Sequence, residues 1–264
     1  GKQFVAVGIA EETAVALASG IAAGGGKPVF GVYSSFVQRT FDQISQDLCI
    51  NNNAATIVTF AGSVYGMNDV THLGFQDIPM LSNIPNLVYL APTTKEEYIA
   101  MLDWSIEQNE HPVAIKLPGG AMVSGRSVTK NFGDLNKYEV TQGGSKVALL
   151  GLGTFYSLAN VAADEMKSEL GIDATVINPY YITGLDEELL ESLKADHSVV
   201  VTIEDGILDG GFGEKIARFY GDSDMKVLNY GLKKEFLDRY DVEEVLKNNR
   251  LDAEMIAEDV KGLL

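Results

Sequence analysis

Glu11 and Glu12 lie side by side at the end of an apolar segment and at the start of an alanine-rich helical pattern. In open α/β sheets, ligands bind beyond the carboxyl ends of the strands, so a carboxylate at such a junction faces a candidate site. The same position is the first turn of a helix, where the helix dipole favours negative charge. Acid–base chemistry and simple complementation of the dipole are both open interpretations of the pair.

A second candidate group lies in a glycine-containing loop. His72 is one of three histidines, and Gly66, Asn68, Asp69 and Gly74 surround it in the sequence. An imidazole titrates near neutral pH and can move protons on a bound carbonyl compound. A loop histidine beside glycines belongs to a core less often than one on an apolar helix face, which favours a functional role for His72.

Between these two groups, Tyr33, Phe36 and Arg39 recur at three-residue intervals. An aromatic ring offers a rigid apolar face on which a flat heteroaromatic ring can stack. A guanidinium offers a planar, permanently charged fork for a phosphate. A core position for Phe36 and a surface ion pair for Arg39 are the alternatives that the spacing alone leaves open.

Alternating strand and helix patterns must position these residues. Apolar, β-branched runs predict strands over 4–7, 28–33, 55–60, 87–91, 113–117, 147–152, 174–177 and 198–204, and helical periodicity predicts helices over 11–23, 36–51, 94–107, 154–170, 186–195, 213–220 and twice within 242–264. Strands separated by such helices form mostly parallel sheets wrapped by helices. The polar, glycine-containing stretch 119–144 interrupts the alternation. The pattern therefore predicts an α/β fold in two domains, 1–125 and 126–264.

Composition restricts the class of protein further. A net charge of −17 repels nucleic acid phosphates and anionic lipid headgroups, so neither is an expected partner. No apolar run approaches the roughly 20 residues that span a membrane. The single cysteine, Cys49, cannot form an internal disulfide, fits a reducing cytoplasm and is expected to be a packing residue. Because the chain opens on Gly1 and almost directly on a predicted strand, without a signal peptide, we expect an upstream part to be missing.

Three ordered motifs carry a family resemblance. They are GIAEE at 8–12, VYSSFVQRTFDQI at 32–44 and GMNDVTHLG at 66–74. This text resembles the transketolase and 1-deoxyxylulose-5-phosphate synthase family, where the corresponding runs are approximately GIAEQ, YSTFLQRAYDQ and DGPTHQG, in the same order. The segments 151–154, 176–186 and 202–211 have counterparts in the same family, so the resemblance covers nearly the whole chain.

The resemblance implies a fold and a cofactor. Residues 1–125 correspond to the pyrimidine-binding domain, N-terminally incomplete, and residues 126–264 to the transketolase C-terminal domain. The implied cofactor is thiamine diphosphate, which supplies the carbanion chemistry while the protein supplies geometry and one proton relay. Glu11 matches the acid that hydrogen-bonds the pyrimidine ring nitrogen and so promotes loss of the thiazolium proton.

The same resemblance assigns roles to the remaining candidates. Phe36 matches the aromatic residue that stacks on the pyrimidine ring. Tyr33 and Arg39 match residues that face the substrate phosphate, and Asn68 and His72 match substrate-facing positions, with His72 in a catalytic role. The expected substrate is a sugar phosphate or a 2-oxo acid.

The chain also departs from the family text. Asn68 stands where the family has Asp, Glu12 where it has Gln, and the run 116–120 replaces an arginine-rich segment, which removes a phosphate-clamping Arg at Gly119. No segment matches the family's GDG…N motif for magnesium and the cofactor diphosphate. We therefore expect no metal site in this chain and expect Mg²⁺ and the diphosphate to be held by a missing N-terminal domain or a companion subunit. The glycines at 210–213 are expected to let a helix approach a strand closely.

These observations favour a thiamine-diphosphate-dependent transferase of ketol or acyl carbanion units, acting as a homodimer or heterotetramer. A beta-type subunit of a 2-oxo acid dehydrogenase shares the two-domain arrangement and is the rival enzyme. The departures at Asn68 and Gly119 keep open a third alternative, a non-catalytic partner module that kept the fold.

Overall fold

Two β-sheets organise the chain, and the computed structural model describes residues 2–125, 128 and 130–264. The first sheet is wholly parallel and has the order β1-β2-β4-β3. Its strands are β1 (Val29–Tyr33), β2 (Thr56–Phe60), β3 (Val88–Leu90) and β4 (Val113–Lys116). The second sheet has the order β5-β7-β6-β8-β9 and is parallel except for the β5–β7 pair. Its strands are β5 (Glu139–Gln142), β6 (Lys146–Gly151), β7 (Thr175–Asn178), β8 (His197–Ile207) and β9 (Lys226–Leu232).

Helices surround both sheets. The α-helices of the described residues are α1 (Glu11–Ala23), α2 (Ser34–Val37), α3 (Phe41–Gln43), α4 (Asp77–Leu81), α5 (Lys95–Glu107), α6 (Tyr156–Leu170), α7 (Glu187–Leu193), α8 (Phe212–Phe219), α9 (Val242–Asn248) and α10 (Ala253–Lys261). The predicted α/β class is thus confirmed, with two mostly parallel sheets. The sequence patterns did not predict α4, β5 and β9. The predicted division at residue 125 stays a prediction, because residues 126, 127 and 129 lie outside the described residues.

The predicted strand over 4–7 is wrong. Residues 4–8 have no regular secondary structure, and Phe4 and Val5 are exposed. A strand needs a neighbour that pairs with its backbone, and β-branched composition alone does not supply one. These apolar side chains face outward instead of packing on the first sheet.

The predicted helix over 36–51 exists, but it changes its winding. After α2, a 3₁₀ turn covers Gln38–Thr40, α3 follows, and a π-helical segment covers Ile44–Cys49. The hydroxyl of Thr40 donates to the carbonyl oxygen of Val37 at 2.7 Å, a side-chain bond of the kind that bends helices. Ile44, Leu48 and Cys49 of the π-helical segment are buried in the core.

Backbone hydrogen bonds join the two domains at the edge of the first sheet. The N–H of Ala91 donates to the carbonyl of Tyr180, and the N–H of Ile182 donates to that of Tyr89. One hydrophobic cluster contains buried residues from both sheets, among them Ile115 and Val200. The two sheets therefore share part of their core.

Buried charges also lie at this seam. The ammonium of Lys116, at the end of β4, donates to the two oxygens of Asp77 at 2.7 and 2.9 Å, and both side chains are shielded from solvent. Asp205, on β8, accepts from Ser63 Oγ at 2.5 Å and from Thr154 Oγ1 at 2.8 Å. The bond between Ser63 and Asp205 joins the two domains, whereas the pair of Lys116 and Asp77 lies within the first domain. Loss of Lys116 would leave an uncompensated buried charge.

Candidate functional site

Glu11 opens α1 and is almost completely buried. Gly8, with φ of +66°, turns the chain into the helix, and no side chain caps the helix start. One carboxyl oxygen of Glu11, Oε2, accepts from Arg39 Nη1 at 3.2 Å. The other oxygen, Oε1, has no hydrogen-bond partner among the described residues. A buried carboxyl group with one free oxygen can bind a ligand atom directly.

Arg39 lies on the 3₁₀ turn, and its side chain is about half exposed. Its ion pair with Glu11 joins α1 to the helical segment that follows β1. The sequence left a surface ion pair open as an alternative for Arg39. That ion pair is present, and its partner is Glu11, the acid of the predicted site. The phosphate-binding role of Arg39 stays a prediction.

Three predicted residues form an aromatic cluster. Tyr33 ends β1, Phe36 lies in α2, and the edge of the Tyr33 ring meets the Phe36 ring with centroids 6.1 Å apart. The imidazole of His72 approaches Phe36 from the 61–75 loop, with centroids 5.3 Å apart and planes at 74°. Tyr33 is half exposed and Phe36 is only partly buried. The structure therefore brings the predicted stacking ring and the predicted catalytic imidazole together.

His72 has a carboxylate partner that the sequence analysis missed. Its Nδ1 lies 2.8 Å from Asp69 Oδ1 and 2.8 Å from Thr71 Oγ1, and the Thr71 hydroxyl lies 2.6 Å from the same Asp69 oxygen. Hydrogen bonds from Thr71 and His72 hold the pKa of Asp69 below its ordinary value. The Asp-x-Thr-His order could have indicated the cluster, because Asp side chains commonly bond the residues just after them.

Asn68 faces the second domain. Its side-chain Nδ2 donates to the carbonyl oxygen of Tyr240 at 3.3 Å, and its own carbonyl accepts from the N–H of Arg239 at 2.6 Å. The N–H of Val70 donates to Asp238 at 3.1 Å. A segment of the second domain thus holds the loop that carries His72. The substrate-binding role of Asn68 stays a prediction.

The departure at Gly119 has a structural cause. A Cβ atom built on Gly119 would lie 2.3 Å from the Cα of Gly66 and 2.7 Å from the carbonyl oxygen of Tyr65. No side chain fits there while the 61–75 loop keeps its place. Lys116, at the start of the same run, is occupied by Asp77 and does not offer its charge to a substrate.

Two predictions away from the site are confirmed. Cys49 is buried, and burial raises the pKa of its thiol to about 12, as expected of a packing residue. A Cβ on Gly213 would lie 2.5 Å from Thr202 Oγ1, and one on Gly211 would lie 2.5 Å from Glu204 Oε2. These glycines do let α8 approach β8 closely.

No group of three or more His, Cys, Asp or Glu side chains among the described residues is arranged to hold a metal ion. None of the helices within residues 2–125, 128 and 130–264 is long and apolar enough to cross a membrane.

Two family models define the class of protein. The model described as "Transketolase, pyrimidine binding domain" matches residues 1–122. The model described as "Transketolase, C-terminal domain" matches residues 136–256. The chain therefore belongs to the transketolase family, which includes the 1-deoxyxylulose-5-phosphate synthases, as its motifs predicted.

Individual relatives refine this assignment. The chain is 38% identical over 264 residues to a 1-deoxy-D-xylulose-5-phosphate synthase of Clostridium beijerinckii, and the match covers 99% of this chain and 42% of the relative. It is 35% identical over 260 residues to the synthase of Clostridium tetani, with coverages of 98% and 42%. The chain thus spans less than half the length of these curated relatives.

A solved structure shares the fold. It is described as a split gene transketolase, inactive beta4 tetramer, and it superposes with a TM-score of 0.84 at 23% identity. The match covers 99% of this chain and 84% of that chain. At this identity the likeness establishes the two-domain architecture.

Proposed function

We propose that this chain is the pyrimidine-binding half of a thiamine-diphosphate-dependent transferase whose diphosphate-binding half lies on another domain or subunit. Membership of the transketolase family implies dependence on thiamine diphosphate. The observation that carries the proposal is Glu11: a buried carboxyl group with one free oxygen, ion-paired to the residue that lies one turn beyond the predicted stacking ring.

The described residues fit the pyrimidine end of such a cofactor. When bound, thiamine diphosphate supplies a carbon nucleophile that attacks a carbonyl group. Glu11 offers Oε1 to a ring nitrogen and shares a proton with it. Phe36 offers a flat apolar ring, and Tyr33 and His72 contact that ring in T-shaped arrangements.

His72 and Arg39 are assigned to the substrate side. In this proposal the free Nε2 of His72 exchanges a proton with substrate oxygen, a role for which an imidazole is suited near neutral pH. Arg39 keeps Glu11 oriented and, being about half exposed, can also contact an anionic substrate group together with Tyr33. The substrate class is a sugar phosphate or a 2-oxo acid.

The rest of the site belongs to a partner in this proposal. The curated relatives are more than twice as long as their match to this chain, and the solved neighbour is a split-gene transketolase whose beta4 tetramer is described as inactive. The first domain leaves apolar side chains exposed on α1 and on the helical segment after it, among them Leu17, Ile21 and Ile50. Mg²⁺ and the cofactor diphosphate would be bound by that partner.

A transfer of the synthase type is favoured over simple ketol exchange. Relatives at 35 to 38% identity over the whole chain are named 1-deoxy-D-xylulose-5-phosphate synthases. The same names argue against the dehydrogenase alternative. The proposed reaction would break the bond between the carbonyl and carboxyl carbons of a 2-oxo acid, release CO2, and join the remaining acyl carbon to the aldehyde carbon of a phosphorylated sugar, whose oxygen takes up a proton.

The test is calorimetric binding of thiamine diphosphate with Mg²⁺ to the intact native assembly, run beside turnover assays. Glu11→Gln should lower turnover by at least about 100-fold, because an amide cannot exchange the proton. Glu12→Gln is the matched control, since it makes the same change one residue further along and on a more exposed side chain.

Either outcome is decisive. Tight binding to the native assembly, weak binding to this chain alone, and a loss confined to Glu11→Gln would support the proposal. Normal turnover in Glu11→Gln, or no cofactor binding by the complete assembly, would overturn it and favour a non-catalytic partner module.

A further inference from the structure

The loop around His72 carries its carboxylate at an unusual place. Aligned on the shared Thr-His pair, the family text DGPTHQG corresponds to NDVTHLG in this chain, from Asn68 to Gly74. Asn68 therefore occupies the position of the family's Asp, and Asp69 occupies the position of its Gly. The carboxylate has moved by one residue along the loop.

The two side chains point in different directions. Asn68 donates from Nδ2 to the carbonyl oxygen of Tyr240 at 3.3 Å. A carboxylate at position 68 would set its oxygens against that carbonyl and lose the bond. Asp69 instead turns toward the imidazole and accepts at Oδ1. The amide and the carboxylate are thus not interchangeable between positions 68 and 69.

The hydrogen bonds fix which imidazole nitrogen carries the proton. Thr71 has one hydroxyl proton, and Asp69 Oδ1 is its nearer acceptor, at 2.6 Å against 2.8 Å for His72 Nδ1. An ionised carboxylate can only accept a hydrogen bond. The 2.8 Å contact between Asp69 Oδ1 and His72 Nδ1 is therefore favourable only if Nδ1 bears the hydrogen. The neutral ring must then carry its lone pair on Nε2, which has no partner among the described residues.

We propose that Asp69 is the positioning residue of His72: its carboxylate holds the Nδ1–H tautomer, so that Nε2 is the nitrogen that exchanges protons with substrate. This inference rests on the proposed function for the identity of the reaction. The imidazole also packs against the Phe36 ring, with centroids 5.3 Å apart and planes at 74°. Two neighbours thus constrain the imidazole, one by hydrogen bonding and one by packing.

The proton balance of the step is simple. When Nε2 takes a proton from a substrate hydroxyl, the oxygen keeps the electron pair and the ring becomes a cation. The Asp69 carboxylate stabilises that cation through Nδ1–H, as an acid partner does for the histidine of a catalytic triad. The same proton returns from Nε2 to an oxygen in the next step, and no oxidant or further reactant is required.

The first experiment measures the tautomer itself. With ¹⁵N-labelled histidine, the two imidazole nitrogens of His72 can be distinguished by their chemical shifts once the ring is neutral, and a His72→Gln variant assigns the signal. The native chain should show a protonated Nδ1. Asp69→Asn should shift the equilibrium toward protonated Nε2, the form that an isolated side chain favours; an unchanged tautomer would overturn the proposal.

The second experiment measures the consequence for turnover in the intact assembly. Asp69→Asn should lower kcat/KM by about 10- to 100-fold, the lower part of what a positioned general base contributes. Asp238→Ala is the matched control, because it removes a different carboxylate that bonds the same loop, at Val70, without touching His72. Equal losses in the two variants would mean that Asp69 only stabilises the loop.

The two experiments separate the two proposals. If Asp69→Asn changes the tautomer but kcat/KM stays within about threefold of the native value, the positioning role is wrong while the proposed function stands. If Glu11→Gln turns over normally, the proposed function fails, and the tautomer experiment still decides whether Asp69 and His72 form the pair.

Discussion

Each domain contains a buried glutamate at or beside the start of a helix: Glu11 opens α1, and Glu204 lies on β8 against the start of α8. Glu204, near the end of β8, accepts from the N–H groups of Phe212 and Gly213 at 2.8 and 2.7 Å. Both of its oxygens are therefore occupied by the backbone that begins α8. Glu11 uses one oxygen for Arg39 and keeps the other free. Backbone groups thus satisfy both oxygens of the buried acid of the second domain, whereas the buried acid of the first domain keeps the free oxygen on which the proposed cofactor contact depends.

The two domains also differ in how many apolar side chains they expose. Among the described residues, most of the large apolar side chains that stay exposed belong to the first domain, including Phe4, Ile9 and Ile50. The second domain exposes few, and Val161 and Phe236 are the clearest. Contiguous exposed apolar surface usually marks an interaction site. The larger number of exposed apolar side chains supports the proposal that a partner covers part of the first domain.

The largest effect is expected at the seam between the domains. Lys116→Met leaves Asp77 buried without its cation, which should lower the free energy of unfolding by about 3 to 5 kcal/mol. Chemical denaturation followed by circular dichroism measures it. The control is Lys167→Met, which removes a pair with Asp173 that is open to solvent and should lower the free energy of unfolding far less, because water screens the two charges. Similar losses for both variants would show that burial of this pair gives it no special weight in stability.

A somewhat smaller effect tests the structural role of Glu204. Burial raises its pKa from 4.5 to about 7. The folded state therefore binds this proton more tightly than the unfolded state, so stability falls as pH rises from about 4.5 to about 7 and is then level. The fall should amount to at most about 3 kcal/mol.

Glu204→Gln should flatten that part of the pH profile, because an amide does not titrate. Its own amide group would face the N–H of Phe212 or Gly213, so a loss of about 1 to 3 kcal/mol is expected at pH 5. Denaturation series between pH 4.5 and 8 compare the two proteins. A native profile that rises over this range would contradict the assignment.

Charged substitutions on the surface of the first domain should weaken association, and those on the second domain should not. Replacing both Leu17 and Ile21 on α1 by Lys should weaken assembly by about 2 kcal/mol. Burying the exposed part of each apolar side chain on association contributes about 1 kcal/mol. Sedimentation velocity over a dilution series measures it. Val161→Lys on α6 makes the same kind of change in the second domain, and a comparable weakening there would remove the contrast between the surfaces.

The smallest effect concerns the bond between the domains at Asn68. Asn68→Asp keeps the shape but removes the donor to Tyr240, which should cost about 1 kcal/mol. Hydrogen exchange should speed up at Val70 and Arg239, whose N–H groups bond across the same contact. Unchanged exchange would show that the loop is held without this amide.

The helices that carry Glu11 and Phe36 and the loop that carries His72 were mostly predictable, because their signals are local. Apolar periodicity predicts the strands and helices, and short ordered motifs indicate the candidate site residues. The edge strand β5 was missed because it pairs antiparallel with β7 and alternates only partly buried residues. The segment 4–7 was predicted wrongly because composition does not reveal whether a pairing partner exists.

The missed parts of the site depend on distant contacts. Asn68 meets Tyr240, which is 172 residues away, and Lys116 meets Asp77, which is 39 residues away. No periodicity encodes such pairs. Asp69 is near His72 in sequence, but only the folded loop shows that its carboxylate turns toward Nδ1.

The contact between Gly119 and Gly66 limits how this chain can change its chemistry. Any Cβ at position 119 would lie 2.3 Å from the Cα of Gly66. Gly119→Arg alone would therefore clash with the backbone and would not place its guanidinium for phosphate binding. A selection experiment that demands stronger phosphate binding should therefore first yield substitutions in the 61–75 loop. Gly119→Arg fits only after the 61–75 loop has changed. The fold therefore determines the order of the two substitutions.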